Sequence, residues 1–513
     1  MARSAHFCVA RSFPALGFFA RSLLMDPPLE PHAHASRRAF LAVAAVGFAA
    51  SVLASCKAQQ GARTASGGPI GGPAVGGTGS VAGSGASAGG SGAVPGDGSQ
   101  PPVAKPPTEK HIDRPAPPKN EPAVRVKVGS VVRGKGLEVG IPGQVLVVST
   151  AALGVQLCRV QAPALLTRDD AGWSIAPRSG SSKRVRIDGS DELIVATAGA
   201  TAEEFRVLGG VWPGALHLVV TPQGADVVAH VALETYLAGV VAKELYNSWS
   251  LEAHRAQAVA ARSYAICEQA RWAHRRHFDV HASEASQAWV GKTEHAKSLE
   301  AVASTRGQVL VFEGTVVPAY FSSCCGGARA DAEGTIASDL RHDIAPLSAV
   351  GAPRGCACVS FSPHANWTAK LPLQGVSQTL CAWGPVEGFR ELGSFASVRA
   401  IEVVGRNAAG RNQRMRVDAE SGLACELPAE RVRWALSADP INPRISKPFK
   451  ERVKSAYFDP RVVGSALVLD GHGFGHGVGM CQFGAEGASR NGKHARAILA
   501  HSYPGASVAV SYT

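Results

Sequence analysis

One carboxyl in this chain stands where it could hand over a proton. Glu244 is flanked by Leu245, Tyr246 and Trp249 and follows a run with strong helical periodicity. In that run Leu233, Tyr236, Leu237, Val240 and Val241 recur every three or four residues, which makes one buried stripe. A second helix is expected to start at Ser250, a good N-cap residue, with Glu252 in its first turn and Ala256, Val259, Ala260 and Tyr264 inward. Glu244 therefore falls in the short segment between two helices, at the carbonyl end of the first. A negative dipole end and apolar neighbours both disfavour the ionised form, so its pKa should rise. A carboxylic acid that stays protonated near neutral pH is what general-acid cleavage of a glycosidic bond requires. Glu234, the rival acid, lies within the first helix and is read as a structural hydrogen-bond partner.

Other polar residues gather around the same chemistry. Gln257 and Arg262 share the second helix, and the fixed guanidinium of Arg262 suits either a pair with Glu234 or a sugar contact. His476 sits in Gly475-His-Gly-Val-Gly479, where glycines let backbone approach a ligand, and Gln482 follows six residues on. His472 and His476 have a metal-like spacing, but that spacing aligns imidazoles only on a helix, which these glycines oppose, so no metal is assigned to the pair. Gln287, Tyr320 and Ser323 are further candidates for lining a cleft.

Of the eleven cysteines, Cys8 and Cys56 belong to the leader. Cys324, Cys325, Cys356 and Cys358 are spaced for one or two disulfides in an oxidising compartment, with a four-cysteine zinc ion as the second reading; no other cofactor is expected. Cys158, Cys267, Cys381, Cys425 and Cys481 have no partner that the sequence identifies.

These residues need a domain to position them, and the chain's first quarter does not supply it. Ser36-Arg-Arg-Ala-Phe-Leu41 looks like a twin-arginine export signal, and the apolar run from Ala39 to Ala54 ends in Leu53-Ala-Ser-Cys56, which resembles a lipobox. Residues 1–56 are thus read as an export signal with Cys56 lipidated, and Met25 is an alternative start. Residues 57–121 are rich in Gly, Ser and Pro and are expected to be a disordered tether. Residues 122–513 form the domain. Alternating segments at Val124–Val128, Gln144–Val148, Ala215–Val220, Gly307–Phe312 and Val398–Val404 predict strands, a Glu313-Gly314 turn predicts a hairpin, and a helix is expected around Ala495–His501. The fold class is α+β, with mainly antiparallel strands and a helical pair carrying Glu244. A formal charge of +12 on an exported chain points to an anionic wall or membrane surface rather than to nucleic acid.

The helical pair, with Ser286-Gln-Ala-Trp-Val-Gly291, Thr305-Arg-Gly-Gln-Val-Leu310, Ala319-Tyr-Phe-Ser-Ser-Cys-Cys-Gly-Gly327, Gly471-His-Gly-Phe-Gly-His-Gly-Val-Gly-Met-Cys-Gln-Phe-Gly-Ala485 and Ile498-Leu-Ala-His-Ser-Tyr-Pro-Gly505, resembles the stage II sporulation protein D family, which includes the amidase enhancers. The resemblance runs over roughly residues 124–513, with the blocks in the family's order. It implies a lytic transglycosylase acting on peptidoglycan glycan strands, peptide-free ones by preference, with Glu244 as its acid and base, in an exported lipoprotein of the periplasm or cell envelope. It also implies a second reading, a non-catalytic enhancer of a partner amidase or a glycan-binding remodelling protein. Some relatives bind zinc through histidine and cysteine near Tyr320-Phe321, but Ser322 stands where a histidine is often found. Tyr246-Asn247 replaces a Met-Pro-like pair, and Ser502 a common tyrosine.

Overall fold

Strict alternation builds the first sheet. In strand Ala123–Val132 the side chains of Val124, Val126 and Val128 are buried while their neighbours face outward, as a period of two requires. This computed structural model describes residues 112–179, 184–189, 192–199 and 204–513. The export signal, Cys56 and the tether as far as residue 111 lie outside the described residues. From Ile112 the chain already lies on the domain. Ile112 bridges to Leu340, and the Pro115 carbonyl accepts from the Val316 amide at 2.8 Å. Ile112 also packs its side chain against the main core, so contacts with the domain begin before residue 122.

A seven-stranded sheet runs from Val280–His281 through Ala123–Val132, Gly224–Ala232, Ala215–Thr221, Leu193–Thr197 and Val145–Thr150 to Gln156–Gln161. Its pairings are antiparallel except for the edge at Val280–His281. Strand Gly224–Ala232 is buried on both faces: Val227 and Ala229 join the main core, while Val228 packs with Val219 and Phe278 on the other side. A four-stranded antiparallel sheet over Gly136–Val139, Ala164–Asp169, Gly172–Pro177 and Val185–Asp188 adds Leu137, Leu166, Trp173 and Ile175 to the same core.

Seven helices occur among the described residues: α1 Leu233–Glu244, α2 Leu251–Trp272, α3 Ala296–Ser304, α4 Leu373–Val386, α5 Ala429–Ser437, α6 Gln482–Arg490 and α7 Ala495–Ser502. Helix α1 leaves the central strand directly. Its first amides are satisfied from outside, Leu233 by the Pro122 carbonyl at 3.0 Å and Glu234 by the Glu121 carboxylate at 3.0 Å. The expected stripe of Leu233, Tyr236, Leu237, Val240 and Val241 is fully buried. Helix α2 is enclosed nearly all round, and its alanines allow that closeness. Ala258, Ala261 and Ala265 face the sheet core, while Ala253, Ala256, Val259 and Ala260 face a second core with Leu310, Met480, Phe483 and Tyr503. This one helix is a wall shared by both.

The hairpin at Glu313-Gly314 forms as expected, both residues having positive φ, but its second strand is only Thr315–Val316. Beyond Pro318 the chain turns away, and Phe321–Ser322 pairs in parallel with Met480–Cys481 instead. Residues 366–472 hold a third core, where Trp367, Leu380, Trp383, Phe395, Ile401, Met415, Val432 and Leu469 join α4 and α5 to two three-stranded sheets. Within this region sequence patterning isolates only the strand at Val398, which runs to Arg406.

A buried ion pair locks α1 to α2. Arg262 Nε and Nη2 donate to the two Glu234 oxygens at 2.9 and 2.6 Å, and Arg262 Nη1 donates to the Gln308 carbonyl at 3.0 Å. Tyr512 from the last strand's exit donates its hydroxyl to Glu234 Oε1 at 2.7 Å. Burial works against an ionised Glu234, but the guanidinium, the tyrosine hydroxyl and the Gly307 amide outweigh it and hold the pKa below the usual value. Arg262→Met leaves a buried carboxylate without its cation, and the expected loss is about 3–5 kcal/mol in denaturant unfolding. Arg262→Met combined with Glu234→Leu should recover part of it; a double variant as unstable as the single would contradict the assigned pairing.

Candidate active site

Glu244 is the last residue of α1 rather than a residue of the connecting segment. Leu245 is extended, at φ −113° and ψ 154°, which ends the helix and lets Tyr246 turn outward at 54 % exposure while Trp249 turns in. Lys297 from α3 pins this turn, its ammonium donating to the carbonyls of Asn247 at 3.1 Å and Trp249 at 2.7 Å. Ser250 holds the N-cap position of α2, but its hydroxyl does not cap the helix. It donates to Glu486 of α6 at 2.7 Å, and the Ser250 amide donates to the same oxygen at 2.8 Å. A carboxylate from a distant helix thus accepts both donors of Ser250 and fixes α6 beside the α1–α2 turn.

Two donors then meet Glu244. The Ala288 amide donates to Oε1 at 3.1 Å, and the Gln482 side-chain amide donates to Oε2 at 3.0 Å. Gln482 opens α6, whose placement follows from Glu486 and from the Phe483 amide, which donates to the Ser323 carbonyl at 3.0 Å. Ala288 is delivered by its neighbour Gln287, which is fully buried, accepts from the Tyr236 hydroxyl at 3.2 Å and donates to the Ala261 carbonyl at 3.2 Å. This loop lies close on α1 because residue 239 is glycine: a Cβ there would stand 2.2 Å from the Gly291 carbonyl oxygen and 2.6 Å from Trp289 Nε1.

Burial raises the pKa of Glu244, and the negative charge of Glu284 adds to the rise; the Gln482 and Ala288 bonds and Lys243 oppose it without cancelling it. Each carboxyl oxygen accepts one bond and keeps a lone-pair direction for a proton or a substrate hydroxyl. Beside it stands an aromatic cluster in which Trp249 meets Phe483 at 4.9 Å between centroids and Tyr246 meets Trp249 at 5.2 Å.

The residues proposed from sequence separate into three groups. Glu244 and Gln482 touch. Gln287 and Ser323 act through backbone neighbours, as described. Of the other four, Arg262, Gln257 and Tyr320 are buried and His476 is partly buried. Arg262 is committed to Glu234, and Gln257 is fully buried. Tyr320 packs edge-on against Tyr264, and its carbonyl accepts the Tyr503 hydroxyl at 2.8 Å. His476 donates from Nε2 to the Phe321 carbonyl at 2.9 Å and accepts the Val478 amide at Nδ1 at 3.0 Å; burial lowers its pKa to about 4, so it is a neutral latch on the parallel strand pair. The sequence gives no sign of Ala288, a backbone donor, or of Lys297 and Glu486, which lie on other helices. Tyr246 was visible beside Glu244, but not its outward ring.

The cysteines also regroup. The nine described cysteines are all free thiols, and the four that converge are Cys325, Cys356, Cys358 and Cys481. Cys481, which sequence leaves without a partner, takes the place expected for Cys324. Ser322, at the family's histidine position, is buried and its hydroxyl accepts the Gly477 amide at 3.1 Å, so a histidine-containing metal site does not fit here.

The architecture and site are those of an α+β domain with one desolvated acid clamped at a helix end. Residues 221–312 match the SpoIID family model, described as Stage II sporulation protein. Stage II sporulation protein D of Bacillus subtilis (strain 168) is 27% identical over 300 residues, covering 55% of this chain and 75% of that protein. An uncharacterized protein of Brachyspira hyodysenteriae is 29% identical over 311 residues, covering 60% of this chain and 75% of that one. The amidase enhancer of Bacillus subtilis is 26% identical over 298 residues, and the match spans 52% of this chain but 39% of the enhancer. These findings show similarity to the stage II sporulation protein D family.

The raised pKa of Glu244 has a stability consequence. The folded state binds this proton more tightly than the unfolded state, so the contribution is full below the ordinary carboxylate pKa and is lost as pH rises through the folded value. Glu244→Gln removes that loss. Melting temperatures measured across pH should put the variant above the parent near neutrality, with the gap closing in acid; a variant less stable at neutral pH would count against a raised pKa.

Proposed function

We propose that this protein cleaves peptidoglycan glycan strands as a lytic transglycosylase, with Glu244 as its single acid and base. The observation that carries the reading is the clamp on Glu244: a carboxyl with a pKa raised by burial, held by the Ala288 and Gln482 donors, next to the exposed ring of Tyr246. In the reaction the Glu244 acid protonates the bridging oxygen while the glycosidic bond breaks. The muramic acid's own 6-hydroxyl attacks the anomeric carbon and gives its proton to the Glu244 carboxylate, leaving a 1,6-anhydro end and the acid as it began. No water is consumed, so no second carboxylate is required to activate one, unlike the paired-acid hydrolases. Tyr246 would offer a face for a sugar ring, and Gln482 keeps the acid oriented through the proton exchange.

The family match and the amidase-enhancer relative support a role in cell-wall remodelling. They equally motivate the second reading, in which the same cleft holds glycan while a partner amidase does the cutting. Purified protein on peptide-free glycan strands, with mass spectrometry of the products, separates the two. Anhydro-ended fragments should form with the parent and fall by two or more orders of magnitude with Glu244→Gln. Gln482→Leu removes a donor that favours the ionised form, so the basic limb of the pH–rate profile should move to higher pH. No cleavage by the parent, combined with stimulation of an added amidase, favours the enhancer reading.

The proposal includes export and anchoring through a lipidated Cys56, which would hold the domain in the envelope beside its substrate. Cys56→Ala should move the protein from the membrane fraction to the soluble exported pool; unchanged fractionation would reject the anchor.

A further inference from the structure

Four sulfurs from three separated segments meet at the N-cap of α6. Cys325 follows the parallel strand pair, Cys356 and Cys358 flank Ala357 at a 3-10 turn, and Cys481 is the N-cap of α6. Their Sγ atoms all lie within 4.8 Å of one another, and Cys325 and Cys358 are 3.6 Å apart. A tetrahedral ion with zinc–sulfur bonds of about 2.3 Å sets sulfurs about 3.8 Å apart, whereas a disulfide requires about 2.05 Å. We propose that Cys325, Cys356, Cys358 and Cys481 bind one zinc ion as a closed tetrathiolate site.

The surroundings suit thiolates. The amides of Cys325 and Gly484 donate to Cys481 Sγ at 3.3 and 3.2 Å, the kind of outer bond that orients and tunes a metal-bound thiolate. Residue 484 has to be glycine for the cluster to close, since a Cβ would stand 2.4 Å from Cys356 Sγ. Four thiolates on a divalent ion leave two excess negative charges. Arg411 is buried with its guanidinium on the carbonyls of Cys325 at 2.9 Å and Ala328 at 3.2 Å, and Arg329 lies within electrostatic reach of Cys325 and Cys356. That charge would account for a cation buried as deeply as Arg411. Cys324 is a fifth buried thiol whose side chain reaches Cys358 and Cys481, but it is not one of the four that all lie within 4.8 Å of one another.

With all four positions taken by protein, the ion has no open site for substrate and acts as a staple. It would tie the loop after Ser322 and the turn at Ala357 to the N-cap of α6, the residue before Gln482. None of the four cysteines lies in the segment 221–312 that matches the family model.

The test uses the full exported protein, purified without chelator or reductant. Elemental analysis should find one zinc per chain, released when the thiols are modified. Exchange into cobalt(II) should give thiolate-to-cobalt charge-transfer bands and the visible spectrum of a tetrahedral ion. Cys356→Ser and Cys481→Ser should lose the ion, while Cys324→Ser and the control Cys381→Ser should keep it. Should a ligand variant fail to fold, the parent's zinc content and cobalt spectrum still decide. A parent without stoichiometric metal, with these cysteines joined in disulfides by peptide mapping, would overturn the proposal, as would metal retained in both Cys356→Ser and Cys481→Ser.

Discussion

The ion pair of Arg262 and Glu234 is the joint on which the rest of the site is aligned. It is formed between the start of α1 and the middle of α2, with the Gln308 carbonyl on one side and the Tyr512 hydroxyl on the other. A buried pair like this adds little net stability over an apolar substitute, but breaking it is costly, so it selects one arrangement of the parts that meet there. Once the start of α1 is held against α2, the far end of α1 has one place to go. That end is Glu244, beside the segment that carries Gln287 and Ala288.

Desolvation and hydrogen bonding pull Glu244 in opposite directions, and the balance between them defines the site. Burial favours the neutral carboxyl. Two good donors alone would keep it ionised, which makes a poor acid. Here burial outweighs the Ala288 and Gln482 bonds, which moderate the rise in pKa. The moderating donors come from segments far apart in the chain: Ala288 soon after α2, and Gln482 from near the C-terminus. The acid's behaviour therefore depends on closure of the whole domain, not on the helical pair alone.

Helix α6 is the busiest of the secondary elements around the site. Its N-cap is a cysteine of the thiol cluster, its first residue holds the acid, and Glu486 holds the N-terminus of α2. Three constraints within two turns leave a short helix little freedom to shift. The same economy explains why residues that look like ligands in the sequence become struts. His476 has both ring nitrogens satisfied by backbone and is held neutral, so it latches the strand pair that leads into α6.

Much of the fold is legible in the sequence, because local period and local burial coincide there. The α1 stripe, the strands at Val124, Gln144 and Ala215, the Glu313-Gly314 turn and the helix at Ala495 all lie where alternation or helical spacing meets a clear breaker. Glu244 stands out for the same reason, as a lone acid among apolar residues at a helix end. The region from Asn366 to His472 is mostly hidden, since its strands carry polar residues on one face and its helices are short. Which polar residues reach the acid was decided only in three dimensions. Arg262, Gln257, Gln287 and Gln482 are equally plausible as a list, but hydrogen bonds between segments more than two hundred residues apart leave no local pattern. The cysteines make the same point: nearness in sequence favours Cys324, and the chain's path brings in Cys481. A side chain's type and the period of its segment are properties of the sequence; its distance to a partner belongs to the folded chain.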